Sequence, residues 1–156
     1  THYGWDSVRV ALATELLIAG LVVVLARPIV ELFNTDTVGL SVQFIWVLAL
    51  GIAANATFRT LQGGLRGAGD TSWPLYGTLL GTGIRLVLSA LALPAAFEVG
   101  VGDLQLAPGI GLGLLGAFLA ILVDWHARAI VNAVRFRSGA WRAVARRSAE
   151  RAETGD

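Results

Sequence analysis

Four long runs of hydrophobic residues, separated by short polar segments, make up most of the chain. The runs extend over about residues 8–26, 38–58, 73–97 and 108–134. A bilayer core is about 30 Å thick and takes about 20 helical residues to cross. The runs are rich in Leu, Ala and Gly and lack the short alternating pattern of barrel strands. They therefore predict an all-α, polytopic integral membrane protein with four transmembrane helices.

The composition supports a membrane protein over a soluble one. Hydrophobic residues make up 55% of the 156-residue chain and charged residues only 15%, against roughly 25% in soluble domains; the mean hydropathy is +0.68. The absence of cysteine excludes disulfides and thiolate metal sites. A net charge of +1 gives no reason to expect a nucleic-acid partner. Because the chain starts with Thr1 instead of Met, we expect a C-terminal piece of a longer protein, although trimming of a short leader gives the same start.

The arginines predict the orientation of the helices. With both termini inside, nine arginines lie on the inner side and only Arg27 lies on the outer side. The nine are Arg9, Arg59, Arg66, Arg135, Arg137, Arg142, Arg146, Arg147 and Arg151. Arginine accumulates on the cytoplasmic side of membrane proteins. We therefore expect residues 1–134 to cross the membrane with both ends cytoplasmic, and residues 135–156 to form a basic cytoplasmic tail that is either solvated or bound to anionic headgroups.

The segment FRTLQGGLRGAGDTSWPLYGTLLG, between the second and third runs, is the most informative stretch. Its glycines allow the chain to turn tightly and to pass close to other backbone. Asp70 or Thr71 can cap the third helix, and Pro74 fits the first turn of that helix. Arg66 is either an interfacial side chain that reaches the headgroups or a contact for a gate or substrate.

This segment resembles the glycine-rich RGxGDT-P inner loop of the multidrug and toxic compound extrusion (MATE) family. The matching residues are Gly63, Arg66, Gly67, Gly69, Asp70, Thr71 and Pro74. Similar stretches at residues 31–36, 85–94 and 112–141 extend the resemblance over nearly the whole chain. It implies that the four helices are helices nine to twelve of twelve and form part of the C-terminal six-helix bundle.

Two charged residues lie deep in the predicted helices. Arg85 and Asp124 are each about 16 to 18 Å from the inner end, at about 1.5 Å per residue. A charge at this depth is costly, so we expect the two to face the bundle interior as a pair. Arg128 competes for the same carboxylate because it lies four residues after Asp124. The cluster is either a fixed structural pair, or it responds to protonation or lines a transport cavity.

Other polar and small residues have weaker interpretations. Glu15 either reaches water or an arginine near the inner boundary, or it is a proton or cation site. Gln43 and Asn55 are candidate cavity contacts, although they lie about 120° apart around the second helix. Glycines spaced four apart predict close helix packing; they are Gly77 with Gly81 and Gly109 with Gly113.

The resemblance implies a secondary antiporter in the plasma membrane. Such a protein exports organic cations, drugs or other xenobiotics in exchange for protons or sodium by alternating access. The partners would be the lipid bilayer, small organic substrates and the rest of the transporter, namely its N-terminal lobe and the first helices of its C-terminal lobe. No cofactor or metal site is expected, and an enzyme is disfavoured because no nucleophile lies beside a base.

Two other functions stay open at this point. One is a flippase or polysaccharide exporter of the same superfamily, which would share the helical plan. The other is a freestanding four-helix membrane protein that assembles through its glycine faces.

Overall fold

The structure, a computed structural model, describes residues 2–33, 35–101 and 104–154. It consists of five helices and one small hairpin. They are α1 (His2–Leu32), α2 (Val38–Gly67), α3 (Ser72–Ala92), β1 (Val99–Val101), β2 (Leu104–Leu106), α4 (Gly113–Ser138) and α5 (Trp141–Thr154). Helices α1 to α4 are long and apolar enough to cross a membrane. The predicted all-α membrane fold with four spanning helices is confirmed, with the addition of a short antiparallel hairpin between β1 and β2.

The third helix is shorter than the hydrophobic run that predicts it. The run extends to about residue 97, but α3 ends at Ala92. Pro94 has no backbone N–H and disfavours helical geometry in the residue before it. Leu93 is accordingly extended, with φ −60° and ψ 153°. Hydrophobicity alone cannot reveal this end, because the residues after the proline are also apolar.

The chain between α3 and α4 is tied back to the end of α3. Ile110 N donates to Leu91 O at 2.9 Å, and Gly111 N donates to Leu93 O at 2.9 Å. Gly109 lies directly against the carbonyl groups of Leu93 and Pro94. The fourth helix therefore starts at Gly113 and not near residue 108, and the expected glycine face on it is wrong at Gly109, which belongs to the connection.

The glycine-rich segment is mostly helical. Helix α2 continues to Gly67, so Gly63 and Gly67 are helical residues, and an added Cβ at either would meet nothing within 4 Å. The expectation that they form a tight turn or pass close to backbone is therefore wrong. Gly69 makes the turn, with φ +81°. Asp70 N then donates to Leu65 O at 2.9 Å, which closes the end of α2.

The helices are arranged in the spatial order α1, α2, α4, α3. Helix α4 thus lies between α2 and α3, although it follows both in sequence. We call the end that carries the Gly69 turn the turn end, and the opposite end the hairpin end. At the turn end a buried cluster joins three of the helices; it consists of Val8, Leu61, Leu65 and Phe136.

The contact between α2 and α4 is close because a glycine faces a tryptophan. A Cβ on Gly51 would lie 2.5 Å from Trp125 Cε3, so the indole occupies the space that a side chain would need. Nearer the turn end, Phe58 and Ala129 are buried against each other. The side of α4 that faces α2 is therefore packed by apolar groups.

The outer surface of the bundle is apolar. Large hydrophobic side chains are exposed along the helices, among them Leu17 (73%), Val24 (75%) and Leu50 (72%). Monomeric soluble proteins rarely expose continuous apolar surfaces of this kind. The surface suits contact with lipid tails or with further transmembrane helices.

Candidate functional site between α3 and α4

Helix α4 turns a polar face toward α3. Asp124, Arg128 and Asn132 are spaced four residues apart, and Arg135 follows three residues later, so the four share one side of the helix. Asp124 and Asn132 are 1% and 0% exposed. Polar groups this deeply buried need partners to offset the loss of water. The contacts of these four residues therefore define how α3 and α4 fit together.

Asp124 is held mainly by Arg128. The Nε of Arg128 donates to Asp124 Oδ1, and its Nη2 donates to Asp124 Oδ2 at 3.0 Å. The same Nη2 donates to Thr82 Oγ1 of α3 at 2.9 Å. A guanidinium that binds both oxygens of a carboxylate is among the strongest charged contacts in proteins. Arg128 thereby joins its own helix to α3.

Arg85 is the second arginine at this carboxylate. Its Nη1 lies 3.6 Å from Asp124 Oδ2, which is an ion-pair contact but too long for a hydrogen bond. The Arg85 side chain is 45% exposed, whereas that of Arg128 is 14% exposed. Arg85 and Asp124, which the sequence places at equal depth in the membrane, thus lie close together in the structure. The closer partner of Asp124 is nevertheless Arg128. We call Asp124, Arg128, Arg85 and Thr82 the charge cluster.

Two glycines of α3 make room for the polar face of α4. A Cβ on Gly81 would collide with Asp124 Oδ1 and would lie 2.8 Å from Nε of Arg128. A Cβ on Gly77 would lie 3.1 Å from Nδ2 of Asn132. These glycines do serve close helix packing, but the groups that fill the space are polar side chains. Gly83 differs, because a Cβ there would meet nothing within 4 Å.

Asn132 is the most deeply buried member of the polar face. Its Nδ2 donates to the carbonyl of Arg128 at 2.8 Å. Its Oδ1 has no hydrogen-bond partner among the described residues. Sequence reasoning did not single out this residue, although its spacing of four from Arg128 carries the signal.

A second ion pair joins the Gly69 turn, which belongs to the RGxGDT-P motif and is called the motif turn below, to the end of α4. Arg135 Nε donates to Asp70 Oδ2 at 2.7 Å, and the Arg135 guanidinium lies 5.1 Å from the centre of the Trp73 ring. Asp70 is 4% exposed. Helix α3 begins after Thr71 without a side-chain capping hydrogen bond, so the expectation that Asp70 or Thr71 caps it is wrong. The Asp70 carboxylate binds a guanidinium instead, which is a charged and stronger partner than a backbone N–H.

The other motif residues have separate positions. Arg66 is exposed at the last turn of α2. Pro74 is buried in the first turn of α3, and its carbonyl accepts a hydrogen bond from Thr78 Oγ1 at 2.9 Å. The motif therefore combines one turn glycine, one buried carboxylate and one buried proline.

The three remaining candidates lie apart from the charge cluster, and none of them is ion-paired or hydrogen-bonded to Asp124. Glu15 is half-buried on α1, and no ion pair of it is seen in the described part of the chain. Gln43 lines a groove of about 400 Å³ between α1 and α2, together with Arg27 and Trp46. Asn55 accepts a hydrogen bond from Arg59 Nε at 3.2 Å.

The model of the MatE family matches residues 2–91, which is more than half of the chain. The chain belongs to the MATE family. MATE proteins are membrane transporters, and the four apolar helices agree with a multi-pass membrane protein. No curated protein and no solved structure gives a significant match.

The family match covers α1, α2, the turn and α3 up to Leu91. Helix α4 follows the matched region. In this MATE chain, the two glycines of α3 and Asp70 of the turn thus lie within the matched region, while their partners Asp124, Asn132 and Arg135 lie beyond it. The matched region therefore meets α4 in two ways, through these polar contacts of α3 and the turn and through the apolar contact of α2 with Trp125.

Replacement of Gly81 by alanine should separate α3 from α4, because the added methyl group needs the space that Asp124 and Arg128 occupy. We expect Gly81→Ala to lower the unfolding free energy in detergent by about 1–3 kcal/mol. Gly83→Ala, on the same helix with open space around it, should be neutral or slightly stabilising, by about 0.5–1 kcal/mol. Equal effects of the two substitutions would contradict the packing described.

Loss of the arginine that binds Asp70 should destabilise the turn end. We expect Arg135→Gln to cost about 1–3 kcal/mol, because it leaves a buried carboxylate without its charged partner. Arg137→Gln is the matched control, since Arg137 is exposed on the same helical turn and should change stability by less than about 0.5 kcal/mol. Thermal unfolding of the purified variants measures both. A loss of stability in Arg137→Gln as large as that in Arg135→Gln would show that the Asp70 contact is unimportant.

Proposed function

We propose that this chain is part of a MATE-type secondary antiporter that exports organic cations, drugs or other xenobiotics in exchange for protons or sodium. The family match over residues 2–91 carries the proposal. Transport in inverted-repeat and related folds proceeds by alternating access, in which two helical bundles rock around a central cavity. Four membrane-crossing helices supply only part of such a bundle, so the transporter needs further helices to form a cavity.

In this proposal the four helices are helices nine to twelve, in the C-terminal six-helix bundle of a plasma-membrane protein. The remaining partners are the N-terminal lobe and the first helices of the C-terminal lobe. The exposed apolar surface of α1, with Leu17 and Val24, supports contact with such helices or with lipid. The turn end faces the cytoplasm, because the arginines at the ends of α2 and α4 and those of α5 lie there and cytoplasmic segments are rich in arginine.

The groove between α1 and α2 is suited to an amphipathic organic substrate. Trp46 is 51% exposed there and offers an aromatic face to a cation. Gln43 adds an amide that can donate and accept hydrogen bonds. Arg27 at the rim is paired with Glu31 at 2.9 Å, which offsets its own positive charge. We therefore propose Gln43 and Trp46 as substrate contacts at the hairpin end.

Among the acidic residues of the spanning helices, we propose Glu15 as the residue that couples transport to the proton or sodium gradient. Both oxygens of Asp124 are bound by Arg128, so a transported ion would have to displace a guanidinium. Glu15 is half-buried on a spanning helix and has no ion pair in the described part of the chain. Acidic residues in such positions are candidates for proton and cation sites. In this proposal the charge cluster has a structural role.

The test is transport by the complete protein in proteoliposomes that carry a proton or sodium gradient. Glu15→Gln should remove the dependence of organic-cation uptake on the gradient. Asp124→Asn should reduce the yield of folded protein, but the folded fraction should keep the dependence. Glu98→Gln, which changes an exposed acid between α3 and β1, should behave like the unchanged protein.

Two results would contradict the proposal. Gradient-dependent uptake by Glu15→Gln would remove Glu15 as the coupling residue. Failure of the complete unchanged protein to exchange organic cations for either ion would reject the antiporter itself.

A further inference from the structure

Helix α5 is a separate element and does not extend α4. Gly139 adopts a left-handed conformation, with φ +71°, and ends α4; α5 begins two residues later at Trp141. The 26 residues of α4 span about 39 Å at 1.5 Å per residue. That length exceeds a bilayer core of about 30 Å. Helix α5 therefore starts at the level of the lipid headgroups.

Contacts at the start and in the middle of α5 fix its rotation about its axis. The Trp141 ring stacks on Phe136 at 5.4 Å, and its Nε1 donates to the Phe136 carbonyl at 3.1 Å. Seven residues later, Ser148 reaches the motif turn, where a Cβ on Gly69 would lie 2.7 Å from Ser148 Oγ. Val144, between them in sequence, is also near Gly69. Helix α5 thus folds across the turn end with this face inward.

The faces of α5 that remain are basic. The helix contains four arginines and two glutamates. Arg142, Arg146 and Arg147 are all exposed. Two further exposed arginines lie at the same end of the bundle, Arg66 on α2 and Arg137 on α4. Trp141 and Val144 give α5 apolar contacts toward the bundle. Apolar groups on one side and arginines on the others, at headgroup level, are typical of membrane-surface helices.

We propose that the exposed arginines of α5 bind the phosphate groups of anionic phospholipids in the inner leaflet. A guanidinium forms paired hydrogen bonds with phosphate oxygens, and basic segments beside a transmembrane helix are attracted to anionic lipid surfaces. The contact with Gly69 holds the arginines at the membrane surface, so lipid binding and the motif turn support each other. This inference does not depend on the antiport mechanism.

The experiment compares lipids that remain bound to the purified protein. The protein is reconstituted with phosphatidylglycerol and phosphatidylcholine, extracted in mild detergent, and examined by native mass spectrometry. We expect phosphatidylglycerol to be enriched over phosphatidylcholine. The triple variant Arg142→Gln, Arg146→Gln and Arg147→Gln should lose the enrichment. Arg27→Gln, which removes an exposed arginine at the hairpin end, should keep it.

Salt and free phosphate test how the headgroup is bound. Rising salt should release phosphatidylglycerol from the unchanged protein, because the contact is electrostatic. Inorganic phosphate at equal ionic strength should release more lipid than chloride does, because it competes for the same guanidinium hydrogen bonds. Enrichment that survives the triple substitution or high salt would overturn the proposal, and so would equal release by phosphate and chloride.

Discussion

The buried carboxylate of Asp124 is the interaction on which the arrangement of the helices depends. A charge inside a helical bundle in lipid is tolerated only when it is paired and turned away from the hydrocarbon. Arg128 binds both carboxylate oxygens and reaches Thr82, and Arg85 adds a second positive charge from α3. This requirement turns the polar side of α4 toward α3. Its apolar side, with Trp125, is then left to pack on α2, which places α4 between two helices that precede it in sequence.

A similar buried ion pair lies beside the motif turn, at the turn end of the bundle. Asp70 is buried beside Arg135, as Asp124 is beside Arg128. Arg85 of α3 pairs with Asp124 of α4, and Asp70, in the turn before α3, pairs with Arg135 of α4, so ion pairs reach α4 at two levels. Gly69 makes the turn and leaves the space that Ser148 of α5 approaches. The glycine-rich segment is therefore the place where α2, α3, α4 and α5 meet. Three of its glycines, Gly63, Gly64 and Gly67, are ordinary helical residues of α2.

The sequence predicts the four spanning helices because length and hydrophobicity alone decide whether a segment can cross a bilayer. It also predicts that Arg85 and Asp124 approach each other, since opposite charges at equal depth in the bilayer can pair and so reduce the cost of burial. The end of α3 was not predicted, because apolar residues continue beyond Pro94. The pairing of Asp70 with Arg135 was missed as well, since 65 residues separate the two and only the path of the chain brings them together.

The central claim is that Asp124 and Arg128 stabilise the bundle as a pair. A double-mutant cycle with Asp124→Asn, Arg128→Gln and the double variant tests it most directly, with the free energy of unfolding measured in mixed micelles. We expect the double variant to be more stable than the sum of the single effects predicts, with a coupling energy of about 0.5–3 kcal/mol. Single effects that add to within about 0.5 kcal/mol would show that the two side chains act independently and would contradict this account.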